Sequence, residues 1–219
     1  MWRSMTGPHA RRRSCDPAYG AASAEEGIAA LSLTQYYTAT TLDGFIADPD
    51  NSLEWLFTRE HDREGPMNYG EFIARTGALA MGATTYEWIL DHEFSGKDPS
   101  DWEWPYEIPC WVFTHRQLPV VPGARIEFTS GDVTGVHQAM TRAAGDRNVW
   151  IVGGGDLAGQ FADAGLLDEV IVSIAPVTLG AGAPLLPRRL ELQLEELARN
   201  GDLACARFTV VRTPARPAA

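Results

Sequence analysis

The chain has 219 residues, of which 45% are hydrophobic, and carries a formal net charge of -11 at pH 7. This size fits one domain with a sizeable core. The acidic balance argues against nucleic acid or an anionic membrane as partner, and no apolar run reaches the ~18–20 residues of a membrane span. The 3 cysteines are far apart and the 5 histidines lack ligand spacing, so we expect reduced thiols and no metal.

The first 30 residues are predicted to be a disordered extension, since they are rich in Gly, Ala, Ser and Pro. Three arginines from Arg11 onward resemble the start of a twin-arginine export signal. Glu25 and Glu26, however, stand where such a signal needs an apolar segment. We therefore expect a cytoplasmic protein with one folded domain at residues 31–215.

Strand-like and helix-like patterns alternate through the first half of this domain. The predicted elements are a strand at 33–40, an Asp43–Gly44 turn leading into 45–47, a helix at 67–77 ended by Gly77, a strand at 78–82, a helix at 84–92 capped by Thr84 or Thr85, a loop at 94–109 and a strand at 110–115.

The same alternation continues in the second half. The predicted elements are a strand at 124–130, a helix at 131–145 capped by Asp132 and stopped by Gly145, a strand at 148–152, a helix at 155–165, a long strand at 168–180, and two closing segments at 190–201 and 203–212. The closing segments look like an antiparallel pair, although the first could also be helical. This order predicts an α/β sheet, mostly parallel with an antiparallel end.

Three consecutive glycines, Gly153 to Gly155, stand between a buried strand and a helix. The stretch matches neither G-x-G-x-x-G nor the phosphate loop with its lysine. Two explanations remain: a tight turn, or a phosphate that approaches bare backbone at a helix N-terminus. Three glycines exceed what one tight turn requires, which favours the phosphate.

Two other strand ends carry similar chemistry. Gly82 is followed by Thr84 and Thr85 at a helix start, where hydroxyls and free N–H groups could hold phosphate oxygens or merely cap the helix. Thr114, His115 and Arg116 follow another strand, and a guanidinium could bind an adenosine ribose phosphate bidentately if it is not simply solvated. No Ser/His/Asp or Cys/His arrangement supports hydrolysis. A bound hydride donor needs no protein nucleophile, so a reductase fits this set of residues.

These motifs occur together and in order in a known family. The segments TLDGFIA, MGATTYE, VFTHR, VGGGDLAGQF and GLLDEVIVSIAPVTLGAGAPLL resemble the dihydrofolate reductase superfamily. The last of them resembles the branch named for the reductase domain of the bifunctional riboflavin-pathway deaminase-reductase. The resemblance covers about residues 31–212 and implies a three-layer α/β/α fold, NADPH as cofactor, a homodimer, and a cis peptide between the first two glycines of the triplet.

The resemblance also implies which residues contact the ligands. The expected contacts are Ala39, Ile46 and Ala47 at the nicotinamide; Gly82, Thr84 and Thr85 at the pyrophosphate; Thr114, His115 and Arg116 at the adenosine ribose and its 2′-phosphate; Gly153, Gly154, Gly155, Asp156, Leu157 and Gln160 around the middle of the cofactor; and Trp55, Asn68 and Phe72 beside the substrate. For Trp55 the expectation is a lid residue, with simple helix packing as the alternative.

Three positions depart from the family pattern. Ala83 stands where the family usually has arginine, and Phe45 where riboflavin-pathway reductases carry a basic residue. Asn68 replaces the carboxylate with which dihydrofolate reductases handle proton transfer, and Asp62 and Glu71 are the nearby acids that could substitute for it. The expected activity is reduction of a small pterin-like or aminopyrimidine-like heterocycle, similar to that of dihydrofolate reductase or of 5-amino-6-(5-phosphoribosylamino)uracil reductase.

Two alternatives stay open beside the reductase. The departures at Ala83, Phe45 and Asn68 also fit a non-catalytic or regulatory binding module that keeps the fold without turnover. A flavin or deazaflavin could replace the nicotinamide, and NADH could replace NADPH. The apolar strand before Pro176 and the loop that follows it suggest the dimer contact, and the catalytic residues stay unassigned.

Overall fold

The computed structural model describes residues 32–212, so the predicted extension at 1–30 and the end of the predicted domain lie outside the described residues. Within 32–212 the chain forms ten strands and five α-helices. The strands are β1 (Thr34–Thr41), β2 (Phe45–Ala47), β3 (Thr76–Gly82), β4 (Cys110–Phe113), β5 (Ile126–Thr129), β6 (Asn148–Gly153), β7 (Glu169–Ala175), β8 (Ala183–Pro184), β9 (Leu192–Asn200) and β10 (Leu203–Val210). The helices are α1 (Glu54–Phe57), α2 (Tyr69–Ala74), α3 (Ala83–Phe94), α4 (Val133–Ala144) and α5 (Gly155–Asp163).

Eight of these strands form one sheet in the order β5-β4-β3-β6-β1-β7-β10-β9. In this order, the six strands from β5 to β7 are parallel to one another. Strand β10 is antiparallel to both β7 and β9. The remaining two strands, β2 and β8, pair antiparallel with each other. The predicted mostly parallel sheet with antiparallel C-terminal strands is therefore confirmed.

Helices cover both faces of the large sheet and create two cores. Alternate residues along β6 show this: Trp150 belongs to the first core, under α1, α2 and α3, while Ile151 belongs to the second core, under α4 and α5. Strands buried on both faces read as continuous apolar runs, which explains why the strand predictions succeed there. The three-layer α/β/α architecture is confirmed.

Two predicted helix ends are wrong. Helix α2 ends at Ala74, and Gly77 lies in β3, where a Cβ would come 2.5 Å from the Ala144 carbonyl oxygen. Gly77 thus permits close packing of α4 on the sheet and is no helix stop. Helix α3 is capped by Gly82 rather than by Thr84 or Thr85, with no side-chain cap hydrogen bond.

The ends of α4 are as predicted. The Asp132 side chain accepts a hydrogen bond from the Thr134 N–H, and Gly145 ends the helix with a φ of 67°. A positive φ strongly favours glycine, so the sequence pattern had a definite physical cause at this position.

The C-terminal third differs in detail from the prediction. Strand β7 ends at Ala175, and the two-residue strand β8 lies in what was predicted as loop. Residues 192–200 form β9, which decides between the strand and the helix left open for this segment. Because β7 is paired on both sides, by β1 and β10, this strand offers no free edge to a second copy, and a dimer contact at the loop after Pro176 stays a prediction.

None of the helices within residues 32–212 is long and apolar enough to cross a membrane. The same residues contain no group of three or more His, Cys, Asp or Glu side chains that could hold a metal ion. Cys110 and Cys205 are buried free thiols, and burial raises the pKa of Cys110 above its usual value.

Candidate functional site

The three predicted anion-binding motifs lie side by side at one edge of the sheet. Strands β4, β3 and β6 are adjacent and parallel, so their carboxyl ends share this edge. Gly82 at the end of β3 lies opposite Phe113 of β4, and Gly153 at the end of β6 lies opposite Met81. Ligands of open α/β sheets bind outside such strand ends. We call this edge, with the turns that follow β3, β4 and β6, the cofactor edge.

The glycine turns of the cofactor edge are in direct contact. A Cβ built on Gly82 would lie 3.9 Å from the Gly153 carbonyl oxygen, and one on Gly153 would lie 3.6 Å from Thr85 Oγ1. A Cβ on Gly154 would lie 3.9 Å from Cδ1 of Ile46. The fold thus brings together five residues predicted from three separate segments. The peptide bond between Gly153 and Gly154 is cis, as the resemblance implies.

The three glycines of the triplet are restricted in different ways. Gly153 has a φ of 147°, which L side chains rarely adopt. Gly155 has no room for a side chain, because a Cβ would come 2.2 Å from the Leu185 carbonyl oxygen and 2.3 Å from that of Pro184. Gly154 meets neither constraint, since its φ is -76° and its nearest neighbour atom is an ordinary contact away. Turn geometry and packing therefore account for Gly153 and Gly155, and neither explains the glycine at 154.

Helices α3 and α5 both begin at the cofactor edge, and neither has a side-chain cap. Their caps, Gly82 and Gly154, provide no side-chain hydrogen bond, whereas Asn68 and Asp132 cap α2 and α4 with their side chains. The first turn of a helix leaves N–H groups free, and the helix dipole adds a partial positive charge there. Two such helix starts, held together by Gly82 and Gly153, fit a pyrophosphate.

Three of the residues expected around the cofactor use their side chains elsewhere. Asp156 accepts hydrogen bonds from Gln160 at 3.0 Å and from Arg188 at 2.9 Å, and these bonds hold the pKa of Asp156 below its usual value. Leu157 is buried in the second core. Arg188 also binds Asp163 and passes over Gly159, where a Cβ would come 2.8 Å from the Arg188 side chain. These contacts hold α5 in position and occupy the Asp156 and Gln160 side chains.

At the other end of the cofactor edge, Arg116 already has a partner. Thr114 Oγ1 accepts a hydrogen bond from the Arg116 N–H at 2.9 Å, which shapes the turn after β4, and His115 is exposed in it. The guanidinium donates to both carboxylate oxygens of Glu87, at 2.9 and 2.7 Å. Glu87 was not among the site residues expected from the sequence. The pair was not predictable because its members are 29 residues apart and belong to different motifs.

The expected nicotinamide contacts lie beyond the glycine turns, on the first-core side. Ala39, near the end of β1, is buried in the first core together with Ala47 of β2, and Ile46 lies against Gly154. Strand β1 is the neighbour of β6 in the sheet. The predicted contacts for adenosine, pyrophosphate and nicotinamide therefore follow one another in the order β4, β3, β6, β1.

The turn at Asp43 and Gly44, which the sequence predicts, also holds a distant loop through the Asp43 side chain. The Asp43 carboxylate accepts hydrogen bonds from Thr41 Oγ1 at 2.6 Å, from the Leu179 N–H at 3.0 Å and from the Gly180 N–H at 2.7 Å. The Thr41 hydroxyl first, and then the Gly180 N–H, lower the pKa of Asp43 from its ordinary value. Asp43 thereby ties the loop after β7 to the end of β1.

A lowered pKa in the folded state makes this tie acid-sensitive. The contribution of Asp43 to the free energy of unfolding is complete above the unfolded pKa, about 4, and is lost as pH falls through the folded pKa. Urea unfolding should therefore find Asp43→Asn less stable than wild type at neutral pH, with a smaller gap at about pH 3. Asp50→Asn makes the same change in the next turn, where no hydrogen bond to the carboxylate is found within residues 32–212, and serves as the control variant. A gap for Asp43→Asn that stays constant with pH would contradict the assignment.

The expected substrate contacts Asn68 and Phe72 line a cavity of about 90 Å³ between α2 and the sheet. Gln35 and Asn148, near the starts of β1 and β6, also line it, so the cavity lies toward the amino ends of the strands and away from the cofactor edge. Tyr37 stacks on Phe72 with 4.2 Å between ring centroids and forms part of the same wall. Both ends of the Asn68 amide have a partner within the protein, since Oδ1 accepts from the Glu71 N–H and Nδ2 donates to the Gly65 carbonyl. Glu71 lines the cavity as well. Asp62, the other acid considered, is not among its lining residues.

Trp55 lies away from this cavity. It belongs to α1 and packs in the first core with 8% of its surface exposed. Its indole N–H finds no hydrogen-bond acceptor among residues 32–212. The burial fits the packing interpretation of this residue, and the unpaired donor leaves the contact with a substrate as a prediction.

Together, the sheet order, the two-sided helical cover and the cis-glycine turn define a protein with the dihydrofolate reductase-like fold, as also found in the solved structures that it resembles. Residues 95–204 match the sequence model described as the RibD C-terminal domain. The chain belongs to that family, which confirms the resemblance stated from its motifs.

Individual relatives span most of the chain. An uncharacterized protein of Bacillus subtilis (strain 168), YwjB, is 31% identical over 180 residues, which cover 77% of this chain and 92% of YwjB. The crystal structure of a putative riboflavin biosynthesis protein from Shewanella sp. PV-4 superimposes with a TM-score of 0.68 at 24% identity, over 82% of this chain and 99% of that one.

A second solved structure is larger. The diaminohydroxyphosphoribosylaminopyrimidine deaminase/5-amino-6-(5-phosphoribosylamino)uracil reductase from Thermotoga maritima aligns with a TM-score of 0.54 at 16% identity, over 82% of this chain and 57% of that one. At these sequence identities, the two solved structures support the fold and no statement about function.

Proposed function

We propose that this chain is an NADPH-dependent reductase of a small heterocyclic substrate, of the pterin or aminopyrimidine kind. The observation that carries the proposal is the pair of glycine-capped helix starts at Gly82 and Gly154, which leave backbone N–H groups free at one edge of the sheet. Membership in the RibD C-terminal domain family supports the reductase class. The reductase name of the Thermotoga relative supports the kind of substrate.

When bound, the nicotinamide would supply a hydride from its C4 carbon to a carbon of a C=N or C=C bond, while water or a neighbouring acid gives the proton. The chain itself would bind the pyrophosphate through the N–H groups at Gly82 and Gly154. Arg116 and Thr114 would hold the adenosine ribose. Ile46 and Ala39 would form the wall against which the nicotinamide lies.

Position 68 carries an asparagine, so it cannot supply the carboxylic proton that dihydrofolate reductases use at this position. The Asn68 amide is consumed by capping α2 and cannot donate a carboxylic proton. Glu71 lines a cavity near the amino ends of the strands, away from the cofactor edge, so it is not assigned as the donor in its place. A substrate whose reduction needs little protein acid catalysis suits this site best.

The test is a titration with NADPH followed by tryptophan quenching, and then turnover with a panel of pterins, aminouracil ribotides and quinones. Saturable binding with oxidation of NADPH by one member of the panel is the expected result. Binding without oxidation of NADPH would favour the regulatory module that Ala83, Phe45 and Asn68 suggest. No saturable signal at sub-millimolar NADPH would refute the cofactor, and a coloured purified protein would point to a flavin or deazaflavin.

We also propose that the chain forms a homodimer, through β9. Leucines of this edge strand are exposed, Leu194 to 53% and Leu197 to 68%, which is unusual for neighbours on one face. They lie on the second-core face of the sheet, beyond the cover of α4 and α5. The cross-strand pairs with β10 are Leu192 with Val210, Leu194 with Phe208, and Leu197 with Ala206. A second copy placed on this face would continue the second core.

Replacing Leu194 by glutamate puts a charge at the centre of this face, and burying a lone charge costs several kcal/mol. We expect Leu194→Glu to be monomeric by light scattering at concentrations where wild type is a dimer. Gln193→Glu adds the same charge at the neighbouring position on the opposite face of β9 and should remain dimeric. A monomeric wild type, or a Leu194→Glu variant that stays dimeric, would exclude this interface.

A further inference from the structure

The ion pair between Glu87 and Arg116 connects two motifs that sequence analysis treated separately. Glu87 belongs to α3, whose first residues form the turn for the pyrophosphate, and Arg116 belongs to the turn after β4. The pair is bidentate, with N–O distances of 2.9 and 2.7 Å, so both arms of the guanidinium fork that face Glu87 are used. The group expected to bind a ribose 2′-phosphate is therefore already bound to a carboxylate.

The remaining charges at this corner do not offset Glu87. Ala83 provides neither a charge nor a hydrogen bond at the position where the family usually has arginine. Thr84 and Thr114 are neutral, and His115 is the other basic side chain of the turn. One carboxylate therefore balances the one guanidinium, and His115 is the one further basic side chain that this turn offers to the two negative charges of a 2′-phosphate.

The two kinds of nicotinamide dinucleotide would meet this pair differently. A 2′-phosphate can take the Arg116 fork only by displacing Glu87, and it is then left beside a carboxylate of like charge. A free 2′-hydroxyl can donate a hydrogen bond to the Glu87 carboxylate and leave the ion pair intact. Acidic side chains bind the ribose hydroxyls of NAD in this way, and arginines accommodate the 2′-phosphate of NADP.

We propose that Glu87 sets the selectivity between the two dinucleotides, and that it reduces the advantage of NADPH over NADH in this chain. The inference rests on the proposed function, since it concerns the same cofactor edge. Glu87 touches no reacting atom in this account. It acts as a specificity-determining residue through its hold on Arg116.

The experiment compares dissociation constants for NADPH and NADH in wild type, Glu87→Gln and Asp91→Asn, by tryptophan quenching. Asp91→Asn is the matched control, because it removes one negative charge from the exposed side of the same helix about one turn away. Two further probes, adenosine 2′,5′-bisphosphate and adenosine 5′-monophosphate, both lack the nicotinamide and differ only in the 2′-phosphate. Comparing their dissociation constants therefore measures the effect of the 2′-phosphate alone. The measured quantity is the ratio of the dissociation constants for NADPH and NADH, because general damage to the fold would weaken both and leave their ratio unchanged.

In Glu87→Gln we expect the ratio to shift toward NADPH by about three- to tenfold, which is the scale of losing one exposed ion pair together with a like-charge repulsion. The bisphosphate probe should gain by the same factor and the monophosphate should not. A ratio in Glu87→Gln within twofold of that in Asp91→Asn, with both dinucleotides binding, would overturn this inference and leave the proposed function standing. If neither dinucleotide binds to wild type, both are overturned.

Discussion

Replacing Gly155 by alanine is expected to lower the free energy of unfolding by about 3 kcal/mol, at the upper end of what one overpacked methyl group costs. The added Cβ would meet the Leu185 carbonyl oxygen at 2.2 Å, so this carbonyl would have to move. It cannot move freely, because it accepts a hydrogen bond from the buried Tyr36 hydroxyl at 3.0 Å. Displacement would leave that phenol without its acceptor inside the protein.

Urea unfolding measures this loss, and Gly135→Ala is the matched control. Gly135 lies inside α4, where a Cβ would have only an ordinary contact at 3.9 Å, so alanine should raise stability by up to about 1 kcal/mol. The double variant with Tyr36→Phe tests the mechanism, since the loss in Gly155→Ala should shrink when no hydroxyl is left unpaired. A Gly155→Ala protein within about 1 kcal/mol of wild type would show that the Leu185 segment yields easily.

Replacing Gly82 by alanine is expected to leave the fold intact and to weaken NADPH binding about tenfold or more. The Gly82 φ is -79°, and the added methyl group would meet only the Gly153 carbonyl oxygen and the Gly154 nitrogen, each at 3.9 Å. Its cost in unfolding free energy should therefore stay below about 1 kcal/mol, the usual range for a cap position. The same methyl group would stand between the two helix starts, where the pyrophosphate of the proposed cofactor would lie.

Tryptophan quenching with NADPH measures the affinity, and urea unfolding of the same sample establishes that the fold is kept. Gly135→Ala serves again as the control, because it makes the same chemical change on α4 and should bind NADPH as wild type does. If Gly82→Ala binds NADPH within twofold of wild type while the wild type binds saturably, the pyrophosphate does not lie at Gly82.

Sequence patterns predicted the regular part of this fold well, because the relevant physics is local. Strands β3, β6 and β7 are apolar runs buried on both faces, and α4 carries its own start and stop in Asp132 and Gly145. The three motifs of the cofactor edge were likewise found as strand-to-helix junctions. Their adjacency follows from the parallel sheet once its strand order is known.

The errors arise where partners distant in sequence decide the structure. Gly77 resembled a helix stop, but its small size serves the contact with Ala144 of α4. Gly82 replaced Thr84 and Thr85 as helix cap because the turn approaches Gly153 closely. Glu87 showed no sign of its role, since an ion pair with Arg116 depends on how α3 packs beside β4.

The candidate substrate side shows the same limit. Asn68 was expected beside the substrate on the strength of its position in a family pattern. Its side chain turns out to cap α2 and to bind the Gly65 carbonyl, which only the folded loop can specify. The same short helix places Phe72 and Glu71 at the cavity. The helix predicted from the sequence extends to residue 77, whereas the observed helix ends at Ala74.

The small sheet of β2 and β8 borders the cofactor edge at Ile46, and we expect its local stability to be low. The two strands have 3 and 2 residues, and an isolated pair of strands this short is marginal in water. Segments with few backbone hydrogen bonds open far more often than the centre of a large sheet. Amide hydrogens of Phe45–Ala47 should therefore exchange much faster than those of β1, and slow down when a dinucleotide binds. A ligand could enter past Ile46 by this local opening, without disturbing the eight-stranded sheet.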